Sequence, residues 1–335
     1  MRDLFWLAVF SAVLSGQTPS RALKEAVRNS PDQSLAAGSR ELTDSILSWF
    51  PADTETVLVA QQPFMIKAPD QNRIPTPLEM AQAYAGTALS SAERGSFLRS
   101  LTGHTIRLAV VGAKHFGESN PNSDSDRDGL GMIPHQGCAV YALTEPLPAT
   151  IIARPPDDSI TGRRVWTSKG SKDDGQGNEM HFVSLLRPDL MLACNHREFF
   201  HEVVSRMDSP PHPRIALPES LPEWKHLDRT APVWALSHYS QTGGLLAAAL
   251  PGVGDSGATG ITAEFGGATA PARARMLAAR DPWKELVTNP AFGGAFKSGE
   301  ASPGIWEVSV TGTTPQSGMI AVLMLMDAVG FIVAM

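Results

Sequence analysis

Apolar residues along this chain follow two periods. Some recur at intervals of three and four, as on one face of a helix; others form short runs or alternate, as in strands. Leu42, Ile46 and Trp49 share one face of a helix predicted over residues 40–50, which Pro51 ends. Val57-Leu58-Val59-Ala60 is a continuous apolar run, the pattern of a strand buried on both faces. Thr76-Pro77-Leu78-Glu79, Ser90-Ser91-Ala92-Glu93 and Asn195-His196-Arg197-Glu198 each read as a capping box that opens a helix. The last of these helices runs to Met207 with Phe199, Phe200, Val203 and Val204 on its apolar face. Strands are predicted over residues 105–112, 137–143, 149–153, 163–168, 179–186, 189–194, 232–238, 260–265, 272–277 and 304–310.

Strands that follow strands, with helices in clusters, indicate an α+β protein rather than a regular βαβ series. The expected architecture is predominantly antiparallel sheet with helices packed on one face, in two related lobes. Residues 1–16 read as a signal peptide, 17–38 as a polar segment, 39–208 as the first lobe and 223–335 as a second, smaller one. Five prolines from Pro210 to Pro222 mark residues 209–222 as the linker. Pro51–Gln61 and Pro232–Gln241 stand out as equivalent strands of a duplication.

The two ends of the chain bear on its location. Arg2 precedes an apolar core from Leu4 to Leu14, too short to span a bilayer and suited to a leader cleaved near Ser15. Residues 319–335 would make a helix about 25 Å long, marginal for a membrane span. Asp327 in its middle and Gly330 favour a core helix followed by a short strand, with a C-terminal membrane anchor as the alternative. The two cysteines, Cys138 and Cys194, each sit in an apolar strand-like run. They are either two buried thiols or one disulfide, the latter in an oxidising compartment.

Charge removes one class of partner. The 335 residues carry 28 Lys+Arg against 34 Asp+Glu. Arg163 and Arg164 are adjacent and Arg273 and Arg275 alternate, but neither pair makes a stripe that could track a phosphate backbone, so nucleic acid is not an expected partner.

The best chemical signal is Asp124-Ser125-Asp126-Arg127-Asp128-Gly129. Carboxylates at spacing two before a glycine form the first half of an EF-hand-type loop, with the carbonyl of Leu130 as the next oxygen. Asp124, Asp126, Asp128 and Leu130 are therefore the candidate Ca²⁺ ligands. The twelfth position is His135 where that motif needs a bidentate Glu, so the match is partial. Gly252-Val253-Gly254-Asp255-Ser256-Gly257 fits a dinucleotide loop in spelling only, because a strand rather than a helix is predicted after it. The same stretch resembles the Gly-Asp-Ser-Gly nucleophile loop of trypsin-like serine proteases, without the histidine signature of that family. His196, Glu198, His201 and Glu202 read as the polar face of an amphipathic helix, since the two histidines are five apart rather than four.

PADTETVLVA and PDLMLACNHREFFHEVVSRM resemble segments of uncharacterised exported bacterial proteins. That resemblance implies an exported α+β protein and assigns no activity. The sequence thus leads to a non-enzymatic binding or structural role in the bacterial envelope, periplasmic or extracellular, with a protein or small-molecule partner. A hydrolase whose site is assembled from distant residues is the runner-up, and a C-terminally anchored envelope protein the third reading.

Overall fold

In the computed structural model of this protein, strand β1 (Thr56–Ala60) is paired on both edges and buried along its whole length. Side chains alternate across a strand, so Val57 and Val59 enter one core cluster while Leu58 and Ala60 enter another. The structure describes residues 33–65, 76–85, 103–115, 135–153, 155–167, 182–209, 216–238, 257–266, 271–288 and 296–310. The chain divides into two compact units, Met1–Arg40 and Glu41–Met335. The described residues of the first, 33–40, are helical and belong to α1 (Gln33–Trp49).

The second unit is built on one antiparallel sheet with thirteen strands among the described residues. After β1 come β2 (Phe64–Met65), α2 (Pro77–Ala85), β3 (Thr105–His115), β4 (His135–Leu143), α3 (Ala149–Ile152), β5 (Asp158–Ile160), β6 (Arg163–Thr167), β7 (Phe182–Arg187), β8 (Leu190–Cys194) and α4 (Arg197–Met207). A 3₁₀ turn at Pro222–His226 then leads to β9 (Val233–His238), β10 (Gly260–Phe265), β11 (Ala272–Leu277), α5 (Lys284–Thr288), β12 (Phe296–Ser302) and β13 (Ile305–Val310). β1 and β9 pair at the centre, Leu58 opposite Ala235, so the sheet continues across residues 209–222. Outward from β1 the order is β3, β4, β8, β7; outward from β9 it is β10, β11, β13, β12. β12, the last strand on that side among the described residues, carries Lys297, Glu300 and an irregularity between Glu300 and Ser302, features that discourage pairing with another chain.

Helices cover both faces rather than one. α1 and α4 bury Ile46, Leu47, Phe199, Phe200, Val203 and Val204 against one face, while α2 and α5 bury Ala81, Ala85 and Leu286 against the other. The reason is in the strands: a run such as β1 or β8, apolar on both faces and buried at every position, has two faces that both need cover. Gly112 shows how close one cover lies. A Cβ there would stand 3.0 Å from two ring carbons of Phe50.

The predicted Thr76–Glu79 capping box is present in reciprocal form: Glu79 N–H donates to Thr76 Oγ1 at 3.2 Å and Thr76 N–H to Glu79 Oε2 at 2.8 Å. Two other local readings change. Residues 149–152, expected in a strand, form one helical turn entered from Pro148, with Ile151 N–H bonded to the Pro148 carbonyl at 2.9 Å. Asn195 does not cap α4. Its Oδ1 accepts from Gly137 N–H at 2.8 Å, which extends the β4–β8 ladder and leaves His196 at the N-cap, where its side chain makes no capping bond. Ser90–Glu93, the leader, the loop of residues 168–181 and the C-terminal segment 319–335 lie outside the described residues. Among the described residues, no helix is long and apolar enough to cross a membrane.

Cys138 and Cys194 stand directly opposite each other on β4 and β8 and form a disulfide, buried in the cluster beneath α1 and α4.

Candidate functional site

One face of the sheet changes character half-way across. On β1, β3, β4 and β8 it is lined by Val57, Val59, Leu108, Val110, Val140 and Leu192. Across β10, β11 and β13 the same face carries Glu264, Arg273, Arg275 and Glu307. Pairing brings these together: Glu264 is opposite Arg273 and Arg275 is opposite Glu307. Arg273 Nε donates to Glu264 Oε2 at 2.9 Å, Arg275 Nε to Glu307 Oε2 at 2.8 Å and Arg275 to Glu264 Oε1 at 3.2 Å. Two partly exposed guanidinium groups thus offset the buried Glu264 carboxylate and the half-buried Glu307, the pairing that a charge removed from water requires.

The segment from Leu217 to Ala231 covers part of this face. Trp224 packs edge-on against Trp234 with ring centroids 5.9 Å apart and donates from its indole nitrogen to the Leu217 carbonyl at 2.9 Å. Arg229 stacks over both rings, 5.1 and 5.8 Å from their centroids, and pairs with Asp44. The backbone joins the charge network as well: Asp228 N–H donates to Glu264 Oε1 at 2.7 Å, and Arg275 donates to the His226 carbonyl. The hydroxyl of Thr230 bonds Asp228 and holds its carboxyl below the usual range.

Glu223, in the 3₁₀ turn, is wholly buried. Its Oε1 accepts from Nδ1 of His238, the last residue of β9, at 2.8 Å. Its Oε2 is buried with no hydrogen-bond partner among the described residues. The carboxylate rests on the backbone of Gly260, where a Cβ would overlap it; its Cδ and Cγ stand 2.6 and 2.7 Å from that point. Gly260 in turn pairs with His238 across β9 and β10.

A polar row crosses the same end of the central strands. His238 N–H donates to the Glu55 carbonyl at 2.8 Å. Lys114 on β3 pairs with Asp53 at 3.1 Å and with Glu202 of α4 at 3.6 Å. Gln136 on β4 meets His196 Nδ1 at 3.1 Å. Burial lowers the His196 pKa, the Glu198 charge raises it and the Lys114 charge lowers it, for a net fall below the ordinary imidazole range.

The structure thus brings Glu202 and His196 into this row, as parts of pairs rather than as a metal motif. Asp124, Asp126, Asp128 and Leu130 lie between β3 and β4 outside the described residues, as does Ser256. Among the described residues, no three His, Cys, Asp or Glu groups are grouped to hold a metal ion. Glu223, His238 and Glu264 are the residues that reading the sequence missed. Alternation in Ala272–Leu277, with Arg273 and Arg275 on one side, signals a charged strand face and hence a need for Glu264. Glu223 gives no comparable signal, because it directly follows the proline-rich linker and no periodicity marks it.

No protein-family model matches the chain, and no curated protein matches it. Among solved structures it is similar to crystal form I of TP0453, at 10% identity over 83% of this chain and 96% of that one, with a TM-score of 0.46. Crystal form III of TP0453 gives 8% identity over 83% and 97%, with a TM-score of 0.45. Likenesses at this level assign neither a family nor a function.

Proposed function

We propose that this chain is an exported protein with a non-enzymatic binding or structural role in the bacterial envelope, in the periplasm or outside the cell, and with a protein or small-molecule partner. The Cys138–Cys194 disulfide carries the reading. A bridge between strands in the middle of the core persists where the surroundings are oxidising, and the Arg2–Leu14 leader supplies the route. The test is expression of the full chain in a bacterial host, followed by fractionation, N-terminal mass and thiol titration. Cleavage near Ser15 with no titratable thiol supports export; an intact leader in the cytoplasmic fraction with two free thiols overturns it.

The four strands outward from β1 and the four outward from β9 follow a like order, with β6 and β5 added beyond β7, and this supports two related lobes, 39–208 and 223–335, joined through those strands. Calcium at Asp124, Asp126, Asp128 and the Leu130 carbonyl is part of the proposal. A rise in melting temperature with millimolar Ca²⁺, lost in Asp126→Ala, is the expected result; no shift removes the site.

A second reading, a hydrolase, is favoured by one observation: a histidine held by a buried carboxylate at the half-covered end of the sheet, Glu223 with His238. Such a pair is the base and its orienting group in many hydrolytic sites.

A further inference from the structure

Glu223 is 0% exposed and its hydrogen-bond partner among the described residues is one imidazole. Taking a carboxylate out of water is costly unless it is paired. The chain nevertheless builds a seat for it: Pro222 starts the turn, Gly260 gives up its side chain, and Trp224 anchors the turn on Trp234. The result is an imidazole in one orientation. An ionised Glu223 can only accept, so the Nδ1 proton lies toward it and a neutral His238 carries its lone pair on Nε2. The His238 side chain is 31% exposed, and no described residue bonds Nε2. A buried carboxylate, an oriented imidazole and a partly exposed Nε2 that no described residue bonds are the parts of a proton-transfer site.

We propose that His238, positioned by Glu223, is the catalytic base of a site that hydrolyses carboxylic esters; this rests on the hydrolase reading. Water bonded to Nε2 attacks the ester carbonyl carbon. A C–O bond forms and the water proton passes to Nε2, giving an imidazolium that Glu223 stabilises. The tetrahedral intermediate then collapses: the bond to the alcohol oxygen breaks, and Nε2 returns its proton to that oxygen. The products are one carboxylic acid and one alcohol, with no change of oxidation state. Esters suit this arrangement because one imidazole supplies one base and then one proton, enough for an alkoxide or phenolate to leave.

The experiment uses the full oxidised chain and p-nitrophenyl acetate, with free imidazole at equal concentration as the reference. His238→Asn keeps a side-chain N–H for Glu223 and removes Nε2, so the fold is retained while the base is lost; thermal melting checks this. The expected result is a wild-type rate above the reference, a fall of at least about tenfold in His238→Asn, and a smaller fall in Glu223→Gln. In Glu223→Gln the fall should lie in kcat with KM and melting temperature unchanged, a split that a merely structural partner would not give. Equal rates in wild type and His238→Asn overturn the role of His238 and leave a hydrolase with its site elsewhere. A wild-type rate no faster than imidazole overturns both.

Discussion

The side chain of Glu223 occupies the space that any residue other than glycine would fill at position 260. The two positions are therefore coupled. Gly260→Ala must move the carboxylate off β10 and break its bond to His238. We expect a loss of about 2–4 kcal/mol, from overpacking plus one charged hydrogen bond. In a Glu223→Ala background the same change meets no carboxylate, and its cost should fall below about 1 kcal/mol. Denaturant melts of the four proteins measure this directly. Equal costs in both backgrounds would separate the two positions.

The disulfide joins residues 56 apart in sequence, a loop whose closure in the unfolded chain is worth about 4 kcal/mol. The Cys138→Ala/Cys194→Ala protein should lose that much in urea unfolding, with an unchanged β-sheet signal. Both sulfurs are buried, so a mild reductant should act only at the rate of opening, slowly in buffer and fast in urea. Rapid reduction of the native protein would argue against the bridge sitting in the core.

How far the residues announced this arrangement varies by element. β1, β3, β4, β8, β10 and β11 were legible because their apolar patterns reflect burial on one or both faces. The Thr76–Glu79 cap was legible because both bonds are local. Residues 149–152 were not: Ile151 and Ile152 favour a strand, yet Pro148 starts a helical turn there. β12 was missed because its Lys297, Gly299 and Glu300 suit an exposed edge and leave little apolar signal. The pairing of β1 with β9 depends on contacts about 180 residues apart, which no local pattern encodes. The site was least legible of all, since Glu223 reaches His238 only over Gly260 of β10, and no local pattern joins those three positions.

Glu264 holds Arg273, Arg275 and the backbone of Asp228 at once. Glu264→Gln keeps its shape and removes its charge, leaving Glu307 to offset both guanidinium groups. We expect a loss of about 2–3 kcal/mol, less than for a fully buried pair because both arginines are partly exposed. The loss should shrink in high salt, where the excess positive charge is screened. A change within about 0.5 kcal/mol in unfolding free energy would show that the network contributes orientation rather than stability.

Tyr141 projects from β4 into the core and donates its hydroxyl to the Ala85 carbonyl at the end of α2, at 2.9 Å. Burial pushes its phenol well above the ordinary range. The folded protein therefore keeps the proton that the unfolded chain releases above about pH 10. With more protons bound in the native state, stability falls as pH rises, at about 1.4 kcal/mol per pH unit from this one group. Tyr141→Phe should remove that slope and lose about 1 kcal/mol at neutral pH, where the Ala85 carbonyl is left without its donor. Urea unfolding of both proteins from pH 7 to 11 decides it: the variant starts less stable, and the two curves converge above pH 10. Parallel curves would mean that the phenol ionises in place, with water reaching the hydroxyl between β4 and α2.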